Sequence, residues 1–287
     1  MLQVARLAPR LLDEAAPRLV GFLRGELEAE GGARDRAGRP DLYYTAFALD
    51  GLIALRGELP RARVAEFLAS FGDGAELDLV HQACLVRCWA ALGGGWPSSA
   101  FAPRMRERVE GYRSRDGGYG AVPGGDDGAL YSDFLALGVY QDLGLALPEP
   151  ARLVASLERL RTADGGYANV LHLPLGTTPS TAAAAAILRQ LGHRPAPAVG
   201  RWLLDRLHAS GGFLAMPESP LPDLLSTATA LHALTALEIP LEPVRERCLD
   251  FVDSLWTGRA FVGTWDDDQP DSEYVFYALL ALGHLSL

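Results

Sequence analysis

Gly117-Gly118-Tyr119-Gly120-Ala121-Val122-Pro123-Gly124 reads as a tight turn, and its opening glycine-aromatic mark returns along the chain. Gly165-Gly166-Tyr167, Gly211-Gly212-Phe213 and Gly263-Thr264-Trp265 repeat it, with the aromatic positions 48, 46 and 52 residues apart. A period of that size is the signature of a repeated supersecondary unit that buries its apolar face only against its neighbours. Each mark is followed by a polar or proline-containing loop and then by a helical stretch rich in small apolar residues.

Working outward from these marks, six such stretches line up: Leu42–Leu55, Leu77–Leu92, Ala129–Leu143, Ser180–Leu191, Leu224–Leu237 and Glu273–Leu285. The run Thr181-Ala182-Ala183-Ala184-Ala185-Ala186-Ile187-Leu188 has no polar face and reads as buried all round. Between them lie amphipathic segments with a charged face, among them Ala151–Arg161, Val199–His208 and Pro243–Trp256, whose apolar residues recur at helical spacing. Pro40, Pro179, Pro222 and Pro270 stand shortly before or at the starts of the apolar helices, where a missing N–H costs nothing. Two helix classes alternating six times predict an all-α chain: an α/α toroid of six inner and six outer helices, one domain over residues 1–287. An open solenoid is the structural alternative.

The 287 residues carry a formal charge of −10, which disfavours nucleic acid or an anionic membrane surface as the main partner. No apolar run reaches the roughly 20 residues of a bilayer span. Arg6, Arg10, Asp13, Glu14 and Arg18 interrupt the first segment, so no signal peptide is visible. Cys84, Cys88 and Cys248 are too few for a disulfide framework, and a cytoplasmic location is the expectation. There is no lysine, hence no lysine base, Schiff-base former or phosphate ligand.

The stretches Asp41-Leu42-Tyr43-Tyr44-Thr45-Ala46-Phe47-Ala48-Leu49 and Asp223-Leu224-Leu225-Ser226-Thr227-Ala228-Thr229-Ala230-Leu231, with the turn at Gly117–Gly124, resemble the repeat of protein prenyltransferase β subunits and squalene–terpene cyclases. The resemblance spans essentially the whole chain. It implies a central funnel suited to an isoprenoid or other apolar ligand, lined near the inner-helix starts by aromatic residues: Tyr43, Tyr44, Tyr131, Trp265, Tyr274 and Tyr277 are the candidates. It also implies the option of a helical partner protein.

The catalytic parts that the resemblance implies are mostly missing. The prenyltransferase zinc is held by Asp, Cys and His, yet Tyr274 stands where the histidine belongs and the two preceding inner helices begin without cysteine; a family-type zinc site is not expected. His81, Cys84 and Cys88, with Asp78 a turn earlier, form the one remaining metal-like cluster, and buried cysteines usually act as small hydrophobes. The cyclase Asp-x-Asp-Asp keeps only its first acid, Asp41, with Tyr43 and Tyr44 in place of the pair.

The acidic loop Trp265-Asp266-Asp267-Asp268-Gln269-Pro270-Asp271 contains Asp-Asp-x-x-Asp at Asp267, Asp268 and Asp271, a pattern suited to magnesium. Capping of the following helix is the competing reading, and Asp127 in an equivalent loop carries the same two. Asp127, Asp266, Asp267 and Asp268 are therefore the candidate catalytic acids. Two functions follow: a prenyltransferase- or cyclase-like enzyme with non-standard residues, or a non-catalytic toroid serving as ligand carrier or interaction scaffold. Six-pair glycoside hydrolases, which need two spaced carboxylates, are a distant third.

Overall fold

A computed structural model of the chain describes residues 1–28, 30–93 and 95–287. Two short helices, α1 (Leu2–Ala5) and α2 (Pro9–Leu12), precede the repeats. The outer helices are α3 (Ala15–Glu28), α5 (Arg61–Ala69), α7 (Phe101–Gly111), α9 (Pro150–Arg159), α11 (Pro197–Leu204) and α13 (Arg245–Ser254). The inner ones are α4 (Leu42–Ala54), α6 (Leu79–Leu92), α8 (Leu130–Asp142), α10 (Thr178–Gln190), α12 (Leu224–Ala236) and α14 (Ser272–Leu285). Each inner helix packs on the next in that order and α14 packs back on α4, so the ring closes. This is the α/α toroid, and the open solenoid is excluded.

The small residues explain the inner ring. On α10, Thr181, Ala182, Ala184, Ala185, Ile187 and Leu188 are buried, because alanines let neighbouring backbones approach from both sides. Asp41, Asp78, Thr177, Asp223 and Asp271 cap inner helices by accepting first-turn N–H bonds. The start of α8 has no such cap, and Asn169 Oδ1 from the next loop accepts the Tyr131 N–H instead, at 2.9 Å.

The glycine-aromatic marks are the joints between outer and inner helices. Gly117, Gly165 and Gly211 sit at φ of 103°, 93° and 96°, backbone that glycine adopts without penalty. The aromatic that follows is buried, and its N–H is accepted from inside the next helix: Tyr167 by Thr181 Oγ1 and Phe213 by Thr227 Oγ1, both at 2.9 Å. Gly31-Gly32-Ala33 is an unrecognised copy of the joint, with alanine in the aromatic place and its N–H on Thr45 Oγ1 at 2.8 Å.

The last mark needs correction. The bridge that pairs Arg113 with Tyr119 and Arg161 with Tyr167 pairs Trp256 with Phe261. Phe261 is therefore the buried aromatic of that joint, 48 residues after Phe213, and Trp265 stands 43% exposed beyond it. The same register appears in the backbone ties between repeats: Leu130, Thr178 and Leu224 donate to the carbonyls of Asn169, Ala215 and Gly263, each two residues past its aromatic.

The seam between the first and last repeats has its own fastening. Ser272 Oγ donates to the Tyr44 carbonyl at 2.8 Å, and α1 lies against both α14 and α4. Among the described residues, no helix is long and apolar enough to cross a membrane.

Candidate functional site

The seam brings two first-turn residues together. Asp41 caps α4 and fixes Tyr43; Asp271 caps α14 and fixes the turn that carries Glu273. Tyr43 Oη donates to Glu273 Oε1 at 2.7 Å, across 230 residues of sequence. Behind this pair the rings continue inward. Tyr43 and Phe47 meet edge-on at 4.9 Å, and Phe47 lies 5.7 Å from Phe276 and 5.6 Å from Tyr277.

Tyr131 belongs to α8, opposite α14 across the ring, and is 42% exposed. It lies within electrostatic range of Glu273, Tyr43 and Tyr277. Tyr43, Phe47 and Glu273 are half-buried and Tyr131 is exposed, so rings and one carboxyl group share this accessible end of the inner ring, an aromatic well.

Burial pushes the Glu273 carboxyl up to about 7; the Tyr43 hydroxyl and Arg36 oppose the rise and Asp271 adds to it. A helix N-terminus favours a carboxylate, and here desolvation wins. Only Tyr43 hydrogen-bonds Glu273 among the described residues, so Oε2 is left for a proton or a ligand. Burial likewise raises the Tyr43, Tyr131 and Tyr277 hydroxyls, which stay protonated as donors.

The acidic loop is built differently from a cation site. Arg36 Nη2 reaches Asp267 Oδ2 at 2.7 Å and Asp271 Oδ2 at 3.0 Å, and its guanidinium lies 5.5 Å from the centre of the Tyr274 ring. Burial raises the Asp267 carboxyl, but Arg36 together with the Gln269 and Gly263 N–H groups more than offsets it and leaves it below the usual range. Asp271 is the more buried of the two and is held above that range despite the same arginine. Asp266 and Asp268 are exposed, and Asp127 pairs with Arg159 Nη2 at 2.9 Å.

A magnesium ion fits this loop poorly, because two of the three carboxylates of its Asp-Asp-x-x-Asp pattern, Asp267 and Asp271, already neutralise Arg36. Among the described residues no three His, Cys, Asp or Glu side chains come together to hold a metal. The His81 cluster is also committed: His81 Nδ1 lies 2.7 Å from Asp78 and Nε2 3.4 Å from Asp41. Burial works against charge on His81, but these two aspartates outweigh it and raise its pKa. Cys84 and Cys88 are buried, and burial drives both thiols up and away from the thiolate a metal needs.

Of the ligand-lining candidates, the structure groups Tyr43, Tyr131 and Tyr277 at the well, with Tyr44 beside Tyr43 at 5.5 Å. Tyr274 packs instead on Gly263 under Arg36, and Trp265 lies against Phe251 of α13 with Nε1 on Ser254 Oγ at 2.9 Å. Glu273 was not among the sequence candidates. The only signal for it is an acid in the first turn of the sixth inner helix, one position before Tyr274.

Comparison with known proteins agrees with this architecture. The Prenyltransferase alpha-alpha toroid domain family matches residues 15–86 and 180–286. Protein geranylgeranyltransferase-I of Candida albicans, solved with GGPP, superposes at a TM-score of 0.68 and 13% identity over 92% of this chain and 89% of that one. A type II terpene cyclase from Scytonema, solved with geranylgeranyl dihydroxybenzoate, gives 0.65 and 15% over 96% of each. A protein from Actinoplanes gives 0.65 and 18% over 95% of this chain and 98% of that one. A search of curated protein sequences finds no match. At these identities the superpositions establish the fold, and the family match covers well over half the chain. The chain belongs to the prenyltransferase alpha-alpha toroid family.

Proposed function

We propose that the chain is an isoprenoid-converting enzyme of the cyclase or isomerase type, with Glu273 as its proton donor. The observation that carries the reading is the 2.7 Å bond from Tyr43 to Glu273 at the edge of an aromatic well. A carboxyl group beside aromatic rings that keeps its proton up to about pH 7 is suited to protonating a carbon–carbon double bond of an apolar ligand. The similar toroids in complex with GGPP and with geranylgeranyl dihydroxybenzoate support an isoprenoid as the ligand.

The step balances without a co-reactant. Tyr43 donates to Oε1, so the acid proton sits on Oε2. That O–H bond breaks as a C–H bond forms at the less substituted alkene carbon, leaving a tertiary carbocation. The faces of Tyr43, Phe47, Tyr131 and Tyr277 stabilise positive charge, and the Tyr43 hydroxyl holds the new carboxylate. A neighbouring double bond attacks the cation, a proton is lost, and Glu273 is reprotonated. The net change is isomerisation.

The test is incubation of the purified chain in D2O with all-trans isoprenoid alcohols of two, three and four units, followed by mass spectrometry. An isomer carrying deuterium on a saturated carbon is expected. Tight binding of these alcohols with no conversion favours a carrier, and no binding favours an interaction scaffold.

A further inference from the structure

The well does not end in hydrocarbon. Asp50 lies seven residues beyond Tyr43 on the same stripe of α4, and His284 lies seven beyond Tyr277 on α14. Seven residues are two helical turns, so these groups lie about 10 Å deeper along the ring, roughly the length of two extended isoprene units. Five of the six inner helices contribute polar groups at this level. Arg87 of α6 donates to Asp50 of α4 at 2.9 and 3.0 Å and to Asp142 of α8 at 2.7 Å. His232 and Thr235 of α12 meet His284 of α14 at 2.9 and 3.0 Å.

The hydrogen-bond chain fixes what this floor offers. Thr235 Oγ1 donates to the Leu231 carbonyl at 3.0 Å, so its oxygen can only accept from His284 Nδ1. His284 Nε2 is then bare and accepts from His232 Nδ1. His232 Nε2 is left as an acceptor with no protein donor among the described residues. Burial holds both rings in the neutral form, His232 near 4 and His284 near 3, and His232 adds to the effect on His284.

Asp50 Oδ1 also lacks a partner but is itself buried, which leaves His232 Nε2 as the acceptor for a ligand. Arg87 here faces two carboxylates, Asp50 at 2.9 Å and Asp142 at 2.7 Å. A diphosphate finds no surplus of positive charge here, because Arg87 already serves both carboxylates with three of its five N–H donors.

We infer that this floor is a head-group subsite for a neutral alcohol or phenol, which donates its hydroxyl to His232 Nε2 while the olefinic end of the chain lies at Glu273. The inference rests on the isoprenoid reading above and adds an orientation and a substrate class to it. The ligand enters head first, and its chain of about two isoprene units spans from floor to acid.

The test is calorimetric titration of the full chain with geraniol, its methyl ether and geranyl diphosphate. Geraniol is expected to bind about tenfold more tightly than the ether, the worth of one hydrogen bond, and more tightly than the diphosphate. In His232→Leu the alcohol should lose that advantage while the ether is unchanged. Equal binding of alcohol and ether by the wild-type chain overturns the floor assignment and leaves isoprenoid binding standing, and the wild-type comparison needs no variant to fold. Preference for the diphosphate also overturns it. If none of the three binds, the isoprenoid reading falls and takes this inference with it.

Discussion

Arg36, in the loop ahead of the first inner helix, grips both Asp267 and Asp271 ahead of the last, and so fastens the ring where its first and last repeats meet. Asp271 is 8% exposed and depends on this partner. Arg36→Met should cost about 1–3 kcal/mol, more than a surface pair but less than a fully buried one because Arg36 itself is 40% exposed. Denaturant unfolding measures it, and no change would mean that the fastening contributes little.

Asp133 of α8 stands where the other joints have Thr45, Thr181 or Thr227: it accepts the Tyr119 N–H at 2.6 Å, and its Oδ2 is buried without a partner. Burial, helped by Asp116, pushes this carboxyl up to about 7. Between about pH 4 and pH 7 the folded chain therefore keeps a proton that the unfolded chain has lost, and stability falls as pH rises. Asp133→Thr should restore the joint, gain about 1–2 kcal/mol at pH 7, and flatten this part of the pH dependence. Urea melts of both proteins at pH 5 and pH 7 test both statements.

Gly211 combines φ of 96° with a backbone so close to Arg247 that a methyl group would strike its carbonyl. Gly211→Ala should cost about 2 kcal/mol or more, with a matching drop in the thermal midpoint. Gly138, with open space at its Cβ position, is the control and should tolerate alanine.

How much of this was legible beforehand follows from where each signal lies. The six inner helices fall within about two residues of their expected spans, because small-residue runs and glycine joints are local signals. The Phe261 joint was misassigned to Trp265, since Gly263-Thr264-Trp265 mimics the pattern while the true joint has its left-handed glycine at Gly258, φ 86°. The acidic loop looked like a cation site because Arg36 is 231 residues away from Asp267. Glu273 was invisible for the same reason: ring closure alone brings Tyr43 to it and buries it.

Activity should follow the protonated form of Glu273 and decline as pH rises through about 7. The groups that face it are Tyr43 and Tyr44 of α4, Tyr131 of α8, Asp271, Tyr274 and Tyr277 around α14, and Arg36; of these only Asp271 is also a carboxylic acid, and burial raises it too. Tyr43→Phe removes a bond that favours the carboxylate, so the declining limb should move to higher pH. A pH–rate profile of the two proteins decides it, and a limb that stays in place would detach Tyr43 from the acid.

The most direct measurement is turnover in D2O by Glu273→Gln, which keeps the shape and the Tyr43 contact but has no proton to give. Calorimetry on the same preparation should find ligand affinity within about twofold of wild type, and deuterium incorporation should fall by at least about 100-fold. Undiminished incorporation by a folded, ligand-binding Glu273→Gln protein would contradict the assignment of Glu273 as the acid.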